Sequence, residues 1–236
     1  GRVKSCMGFI CTQNNKDSLA LVFYERASED FKESENEWRY AQMLLTVAHH
    51  RINLHQFLIA DSLLHIAKSH QLDSSYQARY YETCGLYHYE QQQYSSALVY
   101  FNRGLNYWQS KKDRCFSYMK VMQVSLNIKD LVQAKSYAQH IIKNSNNPNY
   151  LVNAYYCLMQ DAKRKNNAEL LSQYSHARTD AQKLLSSNAK RSAKAMHLLE
   201  DYLPNPHPWR WVWVTIISFI VLSLFLFLGI MRYRKH

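Results

Sequence analysis

Histidine and cysteine are the residues of this 236-residue chain best able to do chemistry, and their spacing argues against it. Imidazoles on one helix share a metal ion when they are three or four residues apart. His49 and His50 are adjacent, which on a helix turns them about 100° apart. His65 and His70 are five apart, a poor match for a shared ligand. The cysteines, at 6, 11, 84, 115 and 157, are odd in number and include no CxxC pair. Neither a zinc site nor a disulfide framework is expected of them, and they read as small core residues of helices. No nucleophile elbow is present, and no paired carboxylates share a helical face in a defined cleft. Only 5 glycines occur in the whole chain, too few for the phosphate loops of a nucleotide-binding α/β enzyme. No metal, cofactor or catalytic set is expected. The chain reads as a binder and not an enzyme.

The elements that position its side chains are helical. Proline is as scarce as glycine, and three of its 4 copies fall at 204, 206 and 208. Low Gly and Pro with abundant Ala, Leu, Gln, Lys and Tyr indicates an all-α chain. A spacing of 12, 4 and 3 residues then recurs along it. Gly8, Ala20, Tyr24 and Ala27 form one copy; Ala48, Ala60, Leu64 and Ala67 form the next. Gly85, Ala97, Phe101 and Gly104 follow, then Met122, Ala134, Ala138 and Ile141, and a weaker fifth copy at Leu158, Leu170, Tyr174 and Ala177. Alanine fills the second slot of four successive copies, a coincidence on the order of one in ten thousand by composition alone. Two antiparallel helices that cross closely need small side chains where their backbones approach. The first two slots supply these, one on each helix. A large third-slot group fills the groove beside them, and a small fourth slot is expected to admit the next repeat's first helix. Polar turns at 13–17, 53–56, 90–93, 127–130 and 163–167 separate the paired helices.

This arrangement resembles the tetratricopeptide repeat, whose pattern is W-x2-L-G-x2-Y followed by Ala, Phe and Pro at fixed offsets in about 34 residues. Residues 78–111 match best through Tyr81, Gly85, Ala97 and Phe101; His88 stands where the family has tyrosine, and the steps of 36–40 residues exceed its period. The resemblance implies a right-handed α-solenoid of about five helical hairpins. Their helices are expected at 1–12 with 17–32, 36–52 with 56–70, 75–90 with 94–109, 114–127 with 130–144, and 149–164 with 167–186. A single hairpin cannot bury its apolar face, so stacking is obligatory. An amphipathic helix at 187–203, with Ala193, Met196, Leu199 and Tyr202 on one face, is expected to cap the stack.

The resemblance also implies where a ligand would sit. Family members meet peptides on the first helix of each repeat, and matching by register gives Gln42, Leu45, His49 and Ile52, then Arg79, Glu82, Leu86 and Tyr89, then Phe116, Met119, Gln123 and Leu126. The family's carboxylate-clamping lysines, arginine and asparagines are missing: the ninth repeat position reads Phe9, His49, Leu86 and Gln123. A mixed apolar and aromatic groove suits an extended or helical protein segment. Tyrosines and leucines at helical spacing are more often core than groove.

The chain closes differently. Residues 211–231, from Trp211 to Met231, carry no charge and, at about 1.5 Å per residue, would span roughly 31 Å, the thickness of a bilayer's hydrocarbon. Trp209, Trp211 and Trp213 stand at one end and Tyr233 at the other, as an aromatic belt would. One transmembrane helix is expected there, with contact to the lipid bilayer, preceded by a Pro-rich strut at 204–210. A basic tail at 232–236 follows and reads as the start of a further segment. Of the net charge of +11, residues 183–210 give +3 and the tail another +3. Charge placed beside a span fixes topology and favours anionic headgroups. No basic run with interleaved aromatics precedes residue 183, so no nucleic-acid contact is expected. The dense positives after the span place the C-terminus in the cytoplasm and the repeats outside, in the periplasm of a double-membrane bacterium. This order of parts resembles the sensor half of membrane-bound regulators common in Bacteroidetes, whose output domain would follow. A cytosolic tail-anchored adaptor and a scaffold fit the same order, and self-association as a homodimer is compatible with each.

Overall fold

The structure is a computed structural model describing residues 1–70, 73–111 and 113–200, the last three by backbone alone. The expected strut, transmembrane helix and basic tail, and the end of the expected capping helix, lie outside the described residues. Among the described residues no helix is long and apolar enough to cross a membrane.

Every element among the described residues is a helix. They are α1 (Arg2–Gln13), α2 (Asp17–Glu33), α3 (Glu37–Asn53), α4 (Phe57–Ser69), α5 (Ser74–Glu90), α6 (Tyr94–Tyr107), α7 (Cys115–Asn127), α8 (Leu131–Asn144), α9 (Pro148–Arg164) and α10 (Ala168–Glu200). Gly1–Met196 make one compact unit, and a second runs from His197 to His236. One expectation is corrected here. Residues 187–200 do not begin a separate capping helix, because α10 runs unbroken for 33 residues through them. Nothing in its composition stops it, since no glycine or proline occurs between Ala168 and Leu203.

The hairpins turn alike. Asn15, His55, Gln92, Lys129 and Asn166 all adopt left-handed φ, between 51° and 63°. In the first turn Lys16 N–H donates to the Cys11 carbonyl and Asn15 N–H to that of Thr12, and the same pair of bonds recurs at Gln93 and Gln92 and at Asp130 and Lys129. This is the Schellman closure, which satisfies the last carbonyls of a helix while reversing the chain. Two of these turns, at Gln92 and Lys129, use residues with no liking for φ > 0.

The repeating slots are the core. Ala20, Ala60, Ala97 and Ala134 are fully buried, as are Ala27, Ala67 and Ile141. The first and third slots divide one volume between them. A Cβ on Gly8 would come within 2.7 Å of the Tyr24 ring, and one on Gly85 within 2.6 Å of Phe101. Where the third slot shrinks to Ala138, the first grows to Met122, and both are buried in one cluster. Ala48 and Leu64 are the intermediate case. The fourth slot meets the next hairpin as expected at Ala67, which clusters with Tyr76 of α5 and whose carbonyl accepts from the Tyr76 hydroxyl at 2.7 Å, and it also meets its own hairpin. A Cβ on Gly104 would lie 3.2 Å from the Ala78 carbonyl oxygen and would also touch Glu82, and both belong to α5 of the same hairpin. The fifth copy is loose, with Leu170 37% exposed, because no further hairpin among the described residues covers it.

Each of the first four hairpins pairs internally and with the helix that follows it. The first helices α3, α5, α7 and α9 also touch one another in series, whereas the second helices α2, α4, α6 and α8 do not touch one another. The stack therefore curves with its first helices inside, and their inner faces form a groove.

Candidate functional site

Side chains from four first helices meet on the floor of that groove. Leu45, His49, Arg79, Glu82 and Phe116, all expected there, line a cavity of about 280 Å³ together with Thr46, His50, Thr83 and Tyr150. The remaining expected residues lie elsewhere. Ile52 and Leu86 are fully enclosed in the core, and Met119 packs in the cluster below the fourth hairpin. Gln42 is buried and its Oε1 accepts from Arg79 Nη1 at 2.6 Å, which ties α3 to α5. Tyr89 accepts from Asn127 at 3.3 Å and lies under the Lys120 ammonium, 5.3 Å from its ring centroid. Gln123 and Leu126 are half-buried on α7.

One column reaches the floor through Thr46 and Thr83, outside the register positions expected to meet a ligand. Thr46, Thr83 and Lys120 stand 37 residues apart at the same repeat position. Both threonines turn their hydroxyls back onto their own helices, to the Gln42 and Arg79 carbonyls at 3.0 and 2.8 Å. Such bonding to the carbonyl four residues earlier satisfies the donor and leaves the oxygen's lone pairs toward the cavity. Tyr150, near the start of α9, belongs to no column and carries no signal in the sequence.

Glu82 is the best-held polar group of the floor. Its Oε1 accepts from Trp108 Nε1 at 2.7 Å and from the Ser117 hydroxyl, while Arg114 donates through Nε and Nη2 to the Trp108 carbonyl at 2.8 and 2.7 Å. Helix α5, the α6–α7 loop and α7 are thereby joined through one carboxyl. Burial pushes that carboxyl up to about 7, against the pull of its two donors and the Arg79 guanidinium. His49 goes the other way. It is only half-buried by exposure, but it lies at the bottom of the groove, and desolvation, then His50, Lys120 and Arg79, push it down to about 3. Burial also lowers Lys120, which lies over Phe116 at 5.9 Å. His50 stacks on Tyr24 with ring centroids 5.1 Å apart; burial lowers it while Asp17, 3.5 Å away, pulls upward.

This arrangement offers charge, hydrogen bonds and ring faces, and no reactive pair. Among the described residues no group of three or more His, Cys, Asp and Glu could hold a metal ion. Cys11, Cys84, Cys115 and Cys157 are buried and only Cys6 is exposed. Burial pushes the Cys84 thiol up to about 12 and the Cys157 thiol up to about 11, far from a reactive thiolate at neutral pH.

The fold and groove define a class: a curved stack of helical hairpins similar to tetratricopeptide repeats. No family profile and no curated protein matches the chain. Solved structures do match. One is the crystal structure of YrrB, described as a TPR protein with an unusual peptide-binding site; it is 16% identical, with a TM-score of 0.45, over 80% of this chain and 90% of that one. So loose a likeness bears on neither fold nor function here; the class rests on this chain's own repeating slots and turns.

Proposed function

We propose that this chain is a membrane-anchored interaction domain whose groove recognises a polypeptide segment, and that it performs no catalysis. The observation that carries the reading is the floor itself. Four successive first helices contribute Leu45, His49, Arg79, Glu82, Phe116 and Tyr150 to one cavity open to the groove. Mixed ring faces and hydrogen-bonding groups along a curved wall suit a chain-like ligand better than a compact one. The uncharged stretch 211–231 supplies the anchor, and the positive charge after it puts the repeats outside the cytoplasm. In this reading the chain is the receiving part of a bacterial signalling or transcription-regulating protein. Purification from membranes tests it. A polypeptide that co-purifies with the parent chain is expected to be lost with Phe116→Asp and retained with Leu58→Ser, a change on the outer surface where Leu58 is 88% exposed. Equal retention by both variants contradicts the reading.

A further inference from the structure

Helix α10 packs against the body on either side of a span of exposed residues. Ala181 is buried at one end of the span. At the other end Asn14 Nδ2, just past α1, donates to the Ser192 carbonyl at 3.2 Å and to its hydroxyl at 3.0 Å, and Met196 is buried. Every residue from 182 to 191 is exposed. Beneath this span lies a second cavity, of about 740 Å³, which shares Phe116 and Tyr150 with the groove floor.

The lining of this cavity differs from that of the floor. Three rings, Phe9, Phe116 and Tyr150, come from α1, α7 and α9. Of five side-chain amides, Asn147 and Asn149 accept bonds within the chain, from Asn149 N–H and Asn153 Nδ2, and the other three, Gln13, Asn146 and Asn188, come from α1, the α8–α9 turn and α10. Among the described residues these three amides have no hydrogen-bond partner in the protein. Each amide offers a donor and an acceptor, the complement of one peptide unit. An extended chain presents just such unpaired N–H and C=O groups, and ring faces accept its side chains. Asp113 is the one charged residue of the lining, and no lysine or arginine is present to neutralise an acidic ligand. The volume lies within the roughly 300–1,000 Å³ of binding cavities.

We propose that this chamber holds an extended, non-acidic polypeptide segment clasped between the groove and α10. Gln13, Asn146 and Asn188 pair with its backbone, and its side chains lie on the three rings. The inference rests on the reading of the groove as a polypeptide site and gives that site a place, a ligand conformation and a charge preference.

The test uses the whole chain in detergent micelles and an array of random eight-residue peptides. Bound peptides are expected to be depleted in Asp and Glu. Their affinity falls about tenfold or more in the Gln13→Ala/Asn188→Ala double variant, which removes two hydrogen-bonding partners, and is unchanged by Leu58→Ser on the outer surface. Their binding slows hydrogen exchange in 182–191. Peptides rich in Asp and Glu, or peptides that respond to Arg79→Ala and not to the amide variant, overturn the chamber while leaving polypeptide recognition standing. An array on which nothing binds overturns both.

Discussion

Gly85 and Phe101 show how one residue choice sets another. A methyl group on Gly85 would overlap the Phe101 ring at 2.6 Å, so Gly85→Ala is expected to cost about 1–3 kcal/mol by overpacking. Phe101→Leu in the same chain should restore part of that loss, as the Ala48–Leu64 pair does in the hairpin before. Chemical unfolding of the two singles and the double measures the coupling, and additive losses would show that the two slots do not share a volume. This relation is half legible in the sequence. The small residues recur there in plain view, but the reason for them requires knowing that the third slot lies over the first.

A second consequence at this scale concerns pH. Glu82, raised from 4.5 to about 7, contributes stability that is present below 4.5 and lost as pH rises through about 7. His49, lowered from 6.5 to about 3, contributes stability that is present above 6.5 and lost as pH falls through about 3. The two slopes oppose each other between 4.5 and 6.5. Each substitution should therefore unmask the other: relative to the parent, Glu82→Gln steepens the gain of stability with rising pH, and His49→Asn steepens its loss. Each proton is worth up to about 1.4 kcal/mol per pH unit. Unfolding free energies measured from pH 4 to 8 check the signs, and a variant curve parallel to the parent's would contradict the assignment.

Among the elements, the turns carry the clearest untapped stability. Lys129 sits at φ 63° in an exposed turn, a conformation that costs a side chain about 1 kcal/mol and costs glycine nothing. Lys129→Gly is expected to raise stability by about 0.5–1 kcal/mol, read from the denaturation midpoint; a lower midpoint would show that the turn is not strained. The polar runs mark every one of these turns. They do not reveal the shared left-handed residue, because Gln92 and Lys129 give no sign of it. The break expected at 187 in α10 fails for the opposite reason: ordinary hairpin lengths suggest a stop where the chain offers no breaker. The bond from Asn14 to Ser192 joins residues 178 apart, a pairing no local pattern carries. Asn14→Ala should speed hydrogen exchange near 192–196 and leave α3 to α8 unchanged, and unaltered exchange there would show that α10 is not latched.

At the scale of the whole molecule, curvature follows from which helices touch. The first helices meet in series, so the residues they turn inward become one surface. Register alone finds five of the residues lining the groove floor, because a repeat carries every first helix to an equivalent place. It also draws in Ile52 and Leu86, since one residue's error in register exchanges groove for core. Sidedness has a natural reporter in Cys6, the one exposed thiol among the described residues. A membrane-impermeant maleimide is expected to label it in intact spheroplasts; labelling only after lysis would place the repeats in the cytoplasm.

The central claim is that molecules are recognised on the inner face of this stack. A photo-crosslinking amino acid at Phe116 or Tyr150, compared with one at Leu58 or Val132 on the outer surface, tests it most directly in intact membranes. The account predicts a polypeptide adduct from the two inner positions and none from the two outer ones. Adducts from the outer positions alone would contradict it.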